Sequence, residues 1–221
     1  MSSDTGRRLH AVRDMLLQEA ELTAVQNPDL VQTRREQICD AALELFLEKG
    51  FASTTIRDIC ARSGVNQASI YDYIANKNDI LRRLLNQLWF RPDVTALPDV
   101  LSDTDKPLEE VFEAYFRVAW DRKRKGTLLV YRSVPHLLAE DRRAMRAHDL
   151  ALIHDLARQL ERRAEGPLDT ARLDILANIL IFLSAFGPMR DWLHQDLDSE
   201  LVLRTVSAGA AAMVRELLRV E

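Results

Sequence analysis

The chain has 221 residues, 47% of them hydrophobic, with only 7 glycines and 7 prolines. That suits one large domain or two small ones with a real core, and the abundance of Leu, Ala, Arg and Glu predicts an all-α protein. A net charge of −4 excludes nucleic-acid binding through the field of the whole protein, so any such binding has to come from a local basic surface. Two cysteines, Cys39 and Cys60, cannot build a disulfide framework. Each falls on the apolar face of a predicted helix, as buried thiols of a cytoplasmic protein do. No apolar run reaches the roughly 18 residues of a membrane span and no signal peptide opens the chain, so no membrane partner is expected.

Residues 1–30 form an extension that is partly helical. Leu9, Val12, Met15 and Leu16 are spaced for a short amphipathic helix from Arg8 to Ala24, ended by Asn27-Pro28. Its arginines, Arg7, Arg8 and Arg13, read either as a solvated face or as an arm for a DNA minor groove.

Residues 31–77 carry the motif around which the chain is organised. A first helix runs from about Val31 to Lys49, with Ile38, Ala41, Ala42, Leu45 and Phe46 on one stripe, and Gly50 ends it. Ile56, Ile59 and Cys60 share the apolar face of a short second helix. Thr54 or Thr55 can cap that helix, and Gly64 follows it where a left-handed residue is needed. Asn66 opens a third helix with Ile70 and Ile74 inward and Gln67, Ala68, Ser69, Tyr71, Asp72 and Tyr73 on its other faces. Two short helices about a glycine turn make a helix-turn-helix, and the second is small and polar enough at its start to enter a major groove.

Residues 78–221 read as a succession of helices. A connector runs from Asp79 to Phe90 and a proline-rich loop from Pro92 to Pro107. A helix follows whose stripe includes Phe112, Phe116 and Trp120 and which closes on Arg122-Lys123-Arg124-Lys125 before Gly126. Next come the apolar stretch Thr127 to Ala139 and a long helix from Asp141 to Ala164. The last two helices are capped by Asp169 and Asp198, and Gly187-Pro188 interrupts the first of them. These two, about Asp169 to Phe186 and Asp198 to Leu218, are apolar over more than one face. A monomer could not bury them, so they predict a homodimer joined by a four-helix bundle.

No Gly-rich phosphate loop, H-E-x-x-H or nucleophile elbow is present, and the five histidines are scattered. No catalytic residues, no cofactor and no metal site are expected. The aromatic residues of the second domain are either core or the lining of a small-molecule pocket, as pockets in helical bundles are lined.

The run R-R-E-Q-I-C-D-A-A-L-E-L-F-L-E-K-G-F-A-S-T-T-I-R-D-I-C-A-R-S-G-V-N-Q-A-S-I-Y-D-Y-I-A-N-K-N-D-I-L, Arg34 to Leu81, resembles the N-terminal domain of TetR-type transcriptional regulators nearly end to end. The resemblance implies an N-terminal three-helix helix-turn-helix DNA-binding domain and a C-terminal helical ligand-binding and dimerisation domain. It implies a repressor that binds a palindromic operator in double-stranded DNA as a homodimer. Thr54 or Thr55, Ser69, Tyr71, Tyr73 and Lys77 would hold phosphates, and Gln67, Ala68 and Asp72 would face bases. Two departures, Asp72 at a DNA-facing position and Ile74 for the usual Phe, keep open a protein of the same fold that binds ligand but has lost DNA binding.

The stretch Y-R-S-V-P-H-L-L-A-E-D-R-R-A-M-R, with F-G-P-M-R-D-W-L downstream, is similar to the acyl-CoA-responsive branch of that family. This implies a small-molecule inducer, an acyl-CoA or another hydrophobic molecule. Phe112, Phe116, Trp120, Tyr131, Phe182, Phe186 and Trp192 would line its pocket, with Arg132, His136 and Arg190 at a cationic mouth.

Overall fold

The computed structural model describes residues 11–22, 25, 27–90, 94–102, 106–164, 166 and 168–218. Among them every regular element is a helix, as predicted. The chain divides into two compact units. One comprises Leu16–Arg91 and Lys125–Ala144; the other comprises Met1–Met15, Pro92–Arg124 and Met145–Glu221.

The first unit is built on α1 (Pro28–Lys49), α2 (Ile56–Ser63) and α3 (Lys77–Leu88). Helix α1 starts three residues before the predicted Val31. Asn27 accepts from the amides of Asp29 and Leu30 and Pro28 takes the first turn, so Asn27-Pro28 opens a helix and does not close one. Helix α2 begins with a capping box, in which the Thr55 hydroxyl accepts from the Asp58 amide and the Asp58 carboxylate accepts from the Thr55 amide. Gly64 ends it at φ 72°, a left-handed conformation that a Cβ would strain. Ile38, Phe46, Ile59, Ile70, Ile74 and Ile80 are fully buried, and α1 packs on both α2 and α3.

The recognition segment, Gln67–Tyr73, which is expected to meet DNA, departs from the predicted α-helix. Gln67–Ser69 is a turn, and only Ile70–Asp72 is helical, as one 3₁₀ turn. Asn66 directs this. Its side chain accepts from the Ala68 amide at 2.8 Å, and its carbonyl accepts from both the amide and the hydroxyl of Ser69. These short-range bonds favour i→i+3 geometry over an α-helical ladder.

The predicted N-terminal helix is also corrected. Among the described residues it covers only 11–13, and residues 15–22 are non-helical; Arg7 and Arg8 lie outside the described residues. Lys125–Ala144 completes the unit with most of α6 (Arg124–Ser133), a 3₁₀ turn at Val134–His136 and the start of α7 (Ala139–Glu161). Gly126 lies inside α6, not at a break between helices.

In the other unit, α4 (Leu97–Ser102) occupies the stretch predicted as loop. Helix α5 (Leu108–Arg122) packs on α8 (Thr170–Arg190) and α9 (Ser199–Leu218). Phe112, Phe116, Leu156, Leu160, Leu176, Leu180, Ala210 and Val214 belong to one core cluster. Asp169 and Asp198 cap α8 and α9 as predicted. The predicted interruption at Gly187-Pro188 does not occur: α8 runs through it to Arg190. The missing Pro188 amide costs one ladder bond less than a turn from the helix end, where fewer bonds are at stake. Thr170–Leu193 is long and apolar enough to cross a membrane, with mean hydropathy 1.5, which the expectation from apolar runs overlooked. Its apolar excess lies partly in the core and partly on an outer stripe, Ile175, Ile179 and Phe182, spaced i, i+4, i+7.

Candidate nucleic-acid interface

The residues expected to meet DNA divide by exposure. Thr55, Gln67, Ala68 and Tyr71 are exposed, and Ser69 and Asp72 are half-buried on the same segment. Thr54 is fully buried, and its hydroxyl donates to the carbonyl of Gly50 at 2.9 Å, with Leu45 as a longer second acceptor. Of the two threonines, then, Thr55 alone reaches the surface. Tyr73 is buried, and its carbonyl accepts from Arg35 Nε at 2.9 Å. Both side chains therefore lie inside the unit and not among the exposed set.

Lys77 is likewise engaged within the first unit. Its ammonium donates to the carbonyls of Phe51 (2.7 Å) and Thr54 (2.8 Å) and stands 4.4 Å from the Phe51 ring centroid. Desolvation by burial holds its pKa below the usual lysine value. The ammonium thus ties the Phe51–Thr54 turn between α1 and α2 to the start of α3.

Electrostatics on the outer face of α2 are set locally. Asp58 bridges Lys49, at 2.7 Å, and the Thr55 cap, which together hold its carboxyl well below the usual range. Arg62 is taken up by Glu44 and Glu48.

Three polar side chains that the sequence reading missed lie on α3. Asp79, Arg83 and Asn86 are buried, spaced i, i+4, i+7 on an otherwise apolar face. That spacing in D-I-L-R-R-L-L-N was the available signal, since buried polar groups need partners. Their partners come from residues 17–20. Asn86 accepts from the Leu17 amide and donates to the Leu17 carbonyl, both at 2.9 Å. Asp79 accepts from the Ala20 amide at 2.9 Å, and Arg83 donates to the Ala20 carbonyl at 2.7 Å and to Glu19 at 2.6 Å.

The residues expected to line one inducer pocket fall in different places. Phe112, Phe116, Trp120 and Phe186 form a continuous column of rings, at 5.7, 5.9 and 6.3 Å between successive centroids, and His194 extends it at 5.8 Å from Phe186. The Trp120 indole N–H donates to the Leu183 carbonyl at 3.2 Å. Phe112 and Phe116 are fully buried, so at these positions the rings are core. Phe182 is 51% exposed on the outer stripe of α8, not inside. Trp192 is also exposed, with the Arg190 guanidinium 6.0 Å from its ring centroid. Tyr131, Arg132 and His136 belong to the first unit, where Arg132 donates to the Leu47 carbonyl and His136 stacks on Phe51 at 6.0 Å. Arg132 and His136 are thus both engaged with the α1–α2 region of the first unit.

A tight three-helix unit that presents Thr55, Gln67, Ala68 and Tyr71 around a short polar turn is a helix-turn-helix head. Residues 38–84 match the bacterial regulatory proteins of the tetR family. The chain is 34% identical over 131 residues to the HTH-type transcriptional regulator HbdR of Aromatoleum sp. (strain CIB), a match over 58% of this chain and 57% of that protein. It is 26% identical over 179 residues to the HTH-type transcriptional repressor BepR of Brucella suis biovar 1 (strain 1330), covering 76% of this chain and 85% of the repressor. A tetR-family regulatory protein from Rhodococcus RHA1 shares the fold with a TM-score of 0.58 at 19% identity, over 85% of this chain and 98% of that one. A regulator from Aquifex aeolicus VF5 does so with a TM-score of 0.57 at 15% identity, over 81% and 99%. Residues 38–84 are thus similar to the N-terminal domain of tetR-family regulators, and the relatives named here are transcriptional regulators.

Proposed function

We propose that the protein is a ligand-responsive transcriptional regulator, a repressor that binds a palindromic operator as a homodimer and is released by a small hydrophobic inducer. The observation that carries this is the exposed set Thr55, Gln67, Ala68 and Tyr71 on a head in which Thr54 and Lys77 are engaged internally. Phosphate contacts from Thr55, Ser69 and Tyr71 fix register; Gln67, Ala68 and Asp72 read bases, Asp72 by accepting from a cytosine amino group.

Dimerisation through α8 and α9 is supported by two exposed stripes. On α8 these are Ile175, Ile179 and Phe182; on α9, Leu201, Thr205, Ala208, Gly209 and Ala212. A Cβ built on Gly209 has no atom within 4 Å, so this small residue faces open space in the monomer, where a second copy could approach closely. Two-fold symmetry then places two heads on half-sites about 34–36 Å apart or a multiple of that.

Binding to DNA from upstream of its own gene, followed by gel shift at increasing salt, tests this reading. The expected result is a shifted band whose affinity falls steeply with salt. No binding at any salt would favour a ligand-binding protein of this fold without DNA binding.

An acyl-CoA-like inducer is the narrower reading. It rests on the sequence similarity of the second domain and on the half-buried pair Trp120 and Phe186 at one end of the ring column, with Arg190 nearby in the chain. Release needs different affinity for two conformations, and about 1–3 kcal/mol of coupling weakens operator binding roughly 5- to 150-fold. Titrating the operator complex with acyl-CoAs of increasing length, beside a panel of uncharged hydrophobic drugs, separates the two inducer classes.

A further inference from the structure

The buried carboxylate of Asp79 joins two parts of the first unit that are far apart in sequence. One oxygen accepts from the Ala20 amide at 2.9 Å and the other from the Ala75 amide at 3.0 Å. Ala75 lies two residues beyond Tyr73, where the recognition segment runs into α3. Arg83 backs the same carboxylate at 3.3 Å while gripping the Ala20 carbonyl and Glu19. One turn on, Asn86 pairs with both backbone groups of Leu17, whose side chain is itself buried. Arg82 adds a longer bond to the Gln18 carbonyl.

We propose that residues 16–22 act as a strap that positions the DNA-reading segment through Asp79. The contacts go to main-chain atoms of the strap, so α3 holds it as a bound peptide. Without the Ala20 amide, Asp79 Oδ1 loses its partner while the other oxygen keeps Ala75 and the longer Arg83 bond, and the carboxylate would shift to recover solvation. Losing the strap therefore loosens the Ala75 end of the recognition segment, not only the N-terminus. Asp79, Arg83 and Asn86 are thus positioning residues for DNA reading. Their consequence for operator affinity rests on the function proposed above, but their effect on the head does not.

The test is amide hydrogen exchange on the full chain carrying Leu17→Ala, which leaves α3 and the head sequence intact, beside Asn86→Ala, which removes the main-chain clamp. The expected result is exchange at Leu17, Ala20 and Ala75 faster by about tenfold or more, with core amides of Ile38, Phe46 and Ile59 unchanged. Operator affinity falls in the same order as Ala75 protection. Free exchange at Leu17 and Ala20 with Ala75 as protected as in the parent protein would overturn the proposal. So would unchanged exchange at all three positions in both variants. Faster exchange at every amide in one variant means that its head has unfolded, and the other variant then decides. If the parent protein binds no operator, the function fails, while exchange at Ala75 still decides the strap.

Discussion

The Lys77 ammonium donates to the Phe51 carbonyl and lies against the face of the Phe51 ring at 4.4 Å from its centroid. This arrangement separates two roles for a lysine that the family resemblance assigns to a phosphate. Lys77→Met keeps the aliphatic stem but removes the donor from the Phe51 and Thr54 carbonyls. Stability of the head, read from chemical denaturation, should fall by about 1–3 kcal/mol. Operator affinity should fall for all sequences alike, with the slope of log K against log salt unchanged. A slope shallower by about 1 would instead make Lys77 a phosphate contact.

Gln67 is exposed at the start of the recognition turn, beside Ala68 and before the buried Ile70. Gln67→Ala should relax specificity at one or two operator positions, by about 1–3 kcal/mol of discrimination, with little change in stability. Binding to a set of single-base operator variants reads this out. Equal discrimination in parent and variant would place base reading on other residues.

Much of this head is legible in the sequence because its signals are local. T-I-R-D contains the capping box, Gly64 the left-handed turn, and the isoleucine spacing the core. The choice between Thr54 and Thr55 was not legible, since only the packing of Gly50 and Leu45 over Thr54 decides it. The strap was invisible for a related reason. Leu9, Val12 and Leu16 suit a helix, but bonds from Asn86 and Asp79 to the backbone at Leu17 and Ala20 hold a non-helical chain there. In the second half, sequence proximity suggested that Arg132 and His136 join the aromatic residues. The fold instead places them on Leu47 and Phe51.

His148 gives a pH-dependent prediction. Its Nδ1 is 3.0 Å from the Arg13 carbonyl, to which the neutral ring donates. Burial, with lesser effects from the nearby Lys123 and Arg13 charges, pushes its pKa from 6.5 down to about 4. The unfolded chain therefore binds the extra proton first as pH falls. Stability is complete above about pH 6.5 and is lost as pH drops toward 4, by at most about 1.4 kcal/mol per pH unit. His148→Asn retains a donor for the Arg13 carbonyl and removes the titration. Its melting temperature should depend less on pH between 6.5 and 4 than that of the parent. Parallel curves would mean that His148 does not set this slope.

Gly187 lies against the rigid indole of Trp120, where a Cβ would come 2.3 Å from the ring carbon Cδ2. The indole is fixed by its bond to the Leu183 carbonyl and by stacking on Phe116. Gly187→Ala therefore has no easy relaxation, and overpacking of this kind costs about 1–3 kcal/mol. The gain in helix propensity from alanine, about 1 kcal/mol, only partly offsets it. Thermal unfolding of the variant, beside Gly187→Ala combined with Trp120→Phe, separates the two effects. The double variant should recover part of the loss if the indole is the obstacle. A stabilised single variant would show that the ring moves freely.

Neighbouring residues on α8 test the dimer directly. Leu180 is fully buried in the core of its own unit, whereas Ile179 is 40% exposed on the outer stripe. A charge at the two positions should therefore act by different physics. Leu180→Glu buries an unpaired carboxylate and should unfold the unit, losing helical signal and dimer together. Ile179→Glu leaves the core intact and places like charges face to face across a two-fold axis. It should give a folded chain at the monomer mass of 25.3 kDa by light scattering. Gly209→Leu should do the same, because its Cβ meets no atom within 4 Å in its own chain and the added bulk obstructs a partner. Both folded monomers should lose the full palindrome while keeping weak, salt-sensitive binding to a half-site. An Ile179→Glu protein that remained dimeric and bound the palindrome as the parent does would put the interface elsewhere.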